Sequence, residues 1–242
     1  MQSSISSTVR STQTTLHPRL EALVRKHMSA EWRQPLHAPT VEAFTDLVAT
    51  GVDPEQKIVL DSGCGTGLST RQIAEYHPDC LVIGVDQSKT RLRKLPGGHF
   101  SARQFSPGCF IYREGNVIWL RAELASFWRL ALQAGWRLHR HYLLYPNPWP
   151  KPGQVLRRWH AHPVFPVLLQ LGGQLELRCN WEVYAREFVA AVEMAGCRDV
   201  QLTEGVDSVI TTPFERKYRD SGQTLYCVVV PDPVIRRRNS MA

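Results

Sequence analysis

The chain is poor in everything that would put it inside a membrane or staple it with disulfides. Its longest apolar runs, such as LVIGV and LYCVVV, stop far short of the roughly 20 residues a bilayer span requires. Its six cysteines (Cys64, Cys80, Cys109, Cys179, Cys197 and Cys227) are scattered and form no C-x-x-C pair. That spacing supports neither a zinc ribbon nor a disulfide framework, so no metal is expected. Several cysteines sit in apolar runs, where a free thiol packs as a small hydrophobe, and a reducing cytoplasm is the expected setting. No basic and apolar leader opens the sequence. The first twenty residues contain no acid and little apolar surface, so residues 1–17 read as a disordered tail. Acids are also the minority charge overall: 22 Asp and Glu against 29 Lys and Arg, a net +7. Such an excess suits a polyanionic partner such as RNA.

What is present is a core. At 242 residues and 43% hydrophobic, the chain suits one sizeable α/β domain. Residues 18–55 read as an N-terminal helical extension, 56–231 as the main domain and 232–242, with Arg236-Arg237-Arg238, as a basic tail. Strand-like segments at 57–61, 81–86, 117–120, 142–145, 174–179, 200–203 and 224–230 alternate with helix-like ones, and 96–115 reads as loop. The alternation predicts a Rossmann-like, doubly wound, mostly parallel sheet of seven strands, with the last two able to pair antiparallel.

The first strand runs into LDSGCGTGLS. Gly63, Gly65 and Gly67 permit a tight turn and close approach of a ligand to the backbone. A dinucleotide fingerprint would place its third glycine at position 68, which is Leu68. The G-x-G-x-G spacing with Asp61 ahead of it is instead similar to the cofactor loop of S-adenosylmethionine (AdoMet) methyltransferases. Asp86, at the end of the second strand, is placed to accept from ribose hydroxyls. Glu123, after the third strand, has two readings: a partner of the adenine amino group, or a first-turn acid favoured by the helix dipole.

The fourth strand ends in YPNPWPKP. Its prolines fix φ and leave Asn147 and Trp149 little freedom to lose. The loop, followed by Arg157 and Arg158, resembles the F-P-D-P-W-x-K loop and basic stretch of the bacterial tRNA (guanine-N7-)-methyltransferase family. LGGQLELRCNWEVYAREF and TTPFERKYRDSGQTLY resemble two further segments of that family, in order, and the resemblance spans about Gln56 to Val230. It implies AdoMet as cofactor and tRNA or another structured RNA as partner. It also implies Asn147 and Lys151 at the catalytic centre and Asn180, Thr212 and Glu215 around the guanine. Trp149 has two readings, stacking on the target base or packing over the end of the sheet. Lys151, Arg157 and Arg158 would meet phosphates. Thr212 and Glu215 also read as a helix capping box. Where the family carries Asp in its loop and in its T-D pair, this chain carries Asn147 and Asn180, which marks it as a divergent member. Methylation of another RNA site or a small molecule, and AdoMet or RNA binding without turnover, remain alternatives. Monomer and homodimer both stay open. His160 and His162, with no acid beside them in sequence, read as surface or capping residues.

Overall fold

The segments IVLDS, LVIGVD and VIWLR are rich in β-branched and aliphatic residues and are hidden on both faces. That is the signature of parallel strands covered by helices on each side. In the computed structural model, which describes residues 7–53, 55–95 and 110–233, they form the centre of the sheet. The elements run α1 (Leu20–Ser29), α2 (Ala38–Ala49), β1 (Ile58–Ser62), α3 (Leu68–Tyr76), β2 (Leu81–Asp86), α4 (Lys89–Leu92), β3 (Ile111–Glu114) and β4 (Val117–Arg121). Then come α5 (Leu124–Gln133), β5 (Leu138–Leu144), two short 3-10 turns (Pro152–Arg157 and Trp159–Ala161), α6 (Phe165–Gln170), β6 (Gln174–Cys179), α7 (Glu182–Met194), β7 (Gln201–Glu204), α8 (Pro213–Asp220) and β8 (Tyr226–Val230).

The sheet has eight strands in the order β3-β4-β2-β1-β5-β6-β8-β7. The expected seven is corrected by β3, an antiparallel partner of β4 formed from the end of the segment read as loop. Gly115, at φ 57°, makes the tight hairpin turn. Its glycines made that segment look like loop, and residues 96–109 lie outside the described residues. β8 pairs antiparallel with β6 and β7, as the last two strands allowed.

One face of the sheet carries the larger core, built with α1, α2, α5, α6 and α7. The other carries a smaller one, in which α3, α4 and Ile210 cover Val59, Val82, Tyr142 and Leu144. The expected tail also needs correction. Ser11 Oγ donates to the Pro150 carbonyl at 2.5 Å, and Gln13 is buried, donating to Glu187 at 2.6 Å. Polar side chains hold residues 11–17 down, which a count of apolar residues does not register. Residues 1–6 and the Arg236-Arg237-Arg238 tail lie outside the described residues.

Candidate functional site at the carboxyl edge of the sheet

β2, β1, β5 and β6 are parallel neighbours, so their carboxyl ends lie side by side. Strand spacing of about 4.8 Å puts the ends of β2 and β5 about 10 Å apart. The glycine loop follows β1, Asp86 closes β2, and the proline loop follows β5. Gly63 and Cys64 donate their N–H groups to the Val85 carbonyl at 2.7 and 3.1 Å, fastening the loop to β2.

The three glycines are required for different reasons. All have left-handed φ, 82°, 60° and 73° at Gly63, Gly65 and Gly67. A Cβ on Gly63 would meet nothing within 4 Å, so that position keeps the mouth open. A Cβ on Gly67 would come within 2.0 Å of Leu95 and 2.5 Å of Trp119, so this glycine is needed for packing.

Asp61 is sealed beneath the loop. Its Oδ2 accepts from Ser69 Oγ at 2.8 Å and Thr70 Oγ1 at 2.7 Å, while its Oδ1 is buried with no partner. Burial pushes its carboxyl up to about 6, against the two hydroxyls. Asp86 is buried as well, accepting from Gly65 N at 3.0 Å and Ser88 N at 2.7 Å, with the Arg91 guanidinium 3.6 Å away. A carboxylate has about four acceptor sites, so two backbone bonds leave capacity for hydroxyls. Open glycine backbone over an orphaned acid oxygen fits the amino-acid end of AdoMet, whose ammonium would supply the missing partner. Glu123 divides its two oxygens between the N–H groups of Ala125 and Ser126, both at 2.8 Å, so it caps α5. Of its two readings, the structure displays the helix-terminal one.

α8 lies across this edge. Its Phe214 ring stands 5.9 Å from the Arg91 guanidinium, beside Asp86, and its Tyr218 ring 5.6 Å from Tyr145, at the root of the proline loop. Thr211 N, just before the helix, accepts anchorage from α3 by donating to Gln72 Oε1 at 2.7 Å. Both halves of the edge therefore touch one helix. Asn147 is exposed at the lip, and Lys151 and Arg157 are exposed beyond it. Asn180, at the end of β6, donates to Gln223 at 2.9 Å in the loop that leaves α8. Tyr145 and Trp149 hold left-handed φ of 55° and 47°, an uncommon geometry for bulky residues. The Arg157 guanidinium covers the Trp149 ring at 4.7 Å, so a base stacking on that side would displace it.

Three expected substrate contacts are turned inward. Arg158 is fully buried and is not a phosphate ligand here. It donates to Glu187 at 2.6 Å, to Gln13 at 3.0 Å and twice to the Trp149 carbonyl, at 3.2 and 3.0 Å. An isolated basic pair in the sequence could not show that one arginine faces the core. Glu215 is also fully buried, accepting from Arg178 at 3.0 Å and from Arg219 at 2.9 Å, and so is closed to guanine in this state. Thr212 caps α8 through a 2.9 Å bond from Glu215 N, the capping-box reading. His160 is not at the surface: it is buried against Glu187 at 2.9 Å, whereas His162 Nδ1 does cap a turn, accepting from Val164 N.

Three residues with large roles went unremarked in the sequence. Glu187 lies on the α7 face that carries Tyr184, Phe188 and Ala191, and an acid on an apolar stripe signals a buried partner. Arg178 shares a face of β6 with Glu176, the i, i+2 relation of a strand, and ties Glu215, Ser208 and the Ile210 carbonyl to the sheet. Arg91 had no such signal.

The sheet order, with a glycine loop after its central strand and an antiparallel terminal pair, defines the Rossmann-like methyltransferase class. Within it, residues 55–228 match the family model described as "Putative methyltransferase", and the chain belongs to that family. It is similar to the tRNA (guanine-N(7)-)-methyltransferase of Thermotoga maritima, 26% identical over 177 residues covering 72% of this chain and 53% of that one. The enzyme of the same name from Acidithiobacillus ferrooxidans is 25% identical over 211 residues, 81% of this chain and 78% of the relative. That of Synechococcus sp. is 24% identical over 229 residues, 87% and 91% respectively. The chain spans about half the length of several curated relatives it matches.

Proposed function

We propose that this chain is an AdoMet-dependent methyltransferase acting on tRNA, with N7 of a guanosine as the acceptor. The observation that carries the reading is α8, one face of which presents Phe214 to Arg91, beside Asp86 on the cofactor-loop half, and Tyr218 to Tyr145 at the root of the proline loop. The name shared by the relatives supplies the acceptor, and the net charge of +7 suits a polyanion. When bound, AdoMet supplies a methyl group on an electron-poor sulfonium. Asp61, Gly63, Gly65 and Asp86 would hold it, with Gly67 preserving the shape of the loop.

Guanine N7 presents a lone pair and carries no proton, so the chain has no nucleophile to deprotonate. Its work is alignment. Asn147 can donate through its amide and accept through its carbonyl, fixing a guanine edge at the lip. The prolines beside it, and the Trp149 carbonyl held by Arg158, keep that lip in place. Lys151 and Arg157 meet phosphates, while Asn180 and α8 border the pocket. A cytoplasmic setting agrees with the five free cysteines among the described residues, and none of the described helices is long and apolar enough to cross a membrane.

The test has two stages. Calorimetry should show AdoMet binding at one site, and labelled methyl should then pass to bulk tRNA. Replacing the acceptor guanosine with 7-deazaguanosine should abolish the label. Binding without transfer would leave a non-catalytic module, and label that survives the deaza substitution would move the acceptor to another atom. The amides at Asn147 and Asn180 give those outcomes their weight.

A further inference from the structure

At the opposite, amino-terminal edge of the sheet, far along the strands from the glycine loop, three metal-type ligands converge. One ligand atom each of His77, Cys80 and His139 lies within 4.8 Å of the other two. The spacing that argued against a metal hid this group, because His139 is distant in sequence and only β5 brings it alongside β2 through β1.

The group is built on rigid parts. His77 ends α3, and Cys80 leads into β2 after a turn closed by a 3.1 Å bond from Cys80 N to the His77 carbonyl. Asn116 Nδ2 fastens the same turn, donating to the carbonyls of Cys80 at 3.0 Å and His77 at 3.4 Å. His77 Nε2 pairs with the Tyr142 hydroxyl at 3.2 Å, which leaves Nδ1 as its unshared nitrogen. Such a partner on the far nitrogen is what orients metal-bound imidazoles. His139 is exposed and stands edge-on to His77 with ring centroids 6.2 Å apart. Cys80 is buried, so the group has one solvent side and one protein side.

Only the thiolate ligates, so metal capture must displace the Cys80 proton. Bond lengths of about 2.0–2.3 Å in tetrahedral zinc sites put ligand atoms roughly 3.5 Å apart. The exposed His139 ring can close that gap by changing rotamer.

We propose that His77, Cys80 and His139 bind one Zn²⁺, with water in the fourth position, clasping the α3–β2 turn to β5. The mixed nitrogen and thiolate set favours zinc over the oxygen-seeking Mg²⁺ and Ca²⁺. Titration of the full chain with Co²⁺, the spectroscopic stand-in, should give tetrahedral ligand-field bands and an ultraviolet thiolate-to-cobalt charge-transfer band saturating at one equivalent. Zn²⁺ should bleach both and raise the melting temperature. Cys80→Ser should remove the charge-transfer band, and His139→Ala should weaken Zn²⁺ binding at least tenfold, with circular dichroism and AdoMet binding unchanged. A wild-type chain without the charge-transfer band, or a band that survives Cys80→Ser, overturns the proposal. Should Cys80→Ser fail to fold, the surface variant His139→Ala decides: unchanged Zn²⁺ affinity there is equally fatal.

Discussion

Asp61 and Glu187 are both shut away from water, one under the glycine loop and one behind the proline loop, yet their carboxyls titrate in opposite directions. Asp61 has only two hydroxyls for company, and burial dominates, raising it from 3.8 to about 6. Burial pulls Glu187 the same way, but the His160 hydrogen bond and then the Arg158 guanidinium overcome it and hold the group at about 2 instead of 4.5. The difference separates a site from a scaffold. A buried acid with every oxygen matched fixes a shape, as Glu187 does for Trp149 through Arg158. An acid with a bare oxygen has an unfilled demand for a cation, which the cofactor-binding reading supplies at Asp61.

The sharpest way to break this comparison is to unpair the scaffold acid. Arg158→Met should cost about 3–5 kcal/mol in urea unfolding, since it strands a buried charge. Adding Glu187→Met should restore most of that, and a double variant as weak as the single one would deny the coupling.

The next effect has the opposite sign. The folded chain keeps the Asp61 proton between pH 3.8 and about 6 while the unfolded chain has released it, so this group's contribution to stability falls as pH rises through that window. Asp61→Asn, which keeps an acceptor for Ser69 and Thr70, should remove that slope and stabilise the chain at pH 7 by up to about 3 kcal/mol, while weakening AdoMet binding. The Glu187 contribution should instead be complete above pH 4.5 and drain away as pH falls towards about 2. Melting curves across pH, with each acid replaced in turn, read both limbs.

Smaller effects concern the lip. Asn147→Asp should raise methyl transfer to tRNA about tenfold, about 1.4 kcal/mol of transition-state stabilisation, because a carboxylate favours the cationic product. Unchanged transfer would show that alignment by the proline loop suffices. Smallest is Arg157→Ala, which should lower the slope of log affinity for tRNA against log salt by about 1, whereas the interior Arg158 should contribute nothing to that slope.

How much of this could be read from residue order follows from range. The glycine loop, Asp86 and the proline loop are punctuation set by local backbone chemistry, and the strand pattern around them settles which edge they share. Arg158 looks like Arg157 in the sequence, because which of two adjacent side chains turns inward depends on Glu187 and Gln13, far away along the chain. The capping of α8 by Thr212 was legible from T-x-x-E spacing, but the fate of Glu215 was not, since Arg178 reaches it from another strand. β3 was missed because its partner β4 lies across a turn amid glycines that mimic loop.

The bond from Gln13 to Glu187 joins residues 174 positions apart, and that from Ser11 to Pro150 spans 139. During synthesis the first of these residues must therefore wait, unmatched, until α7 has left the ribosome. Contacts of such long sequence separation form late in folding because they carry the greatest closure cost. The segment carrying Ser11 and Gln13 is thus among the last to lock, and the proline loop takes its final shape only when that segment has met α7.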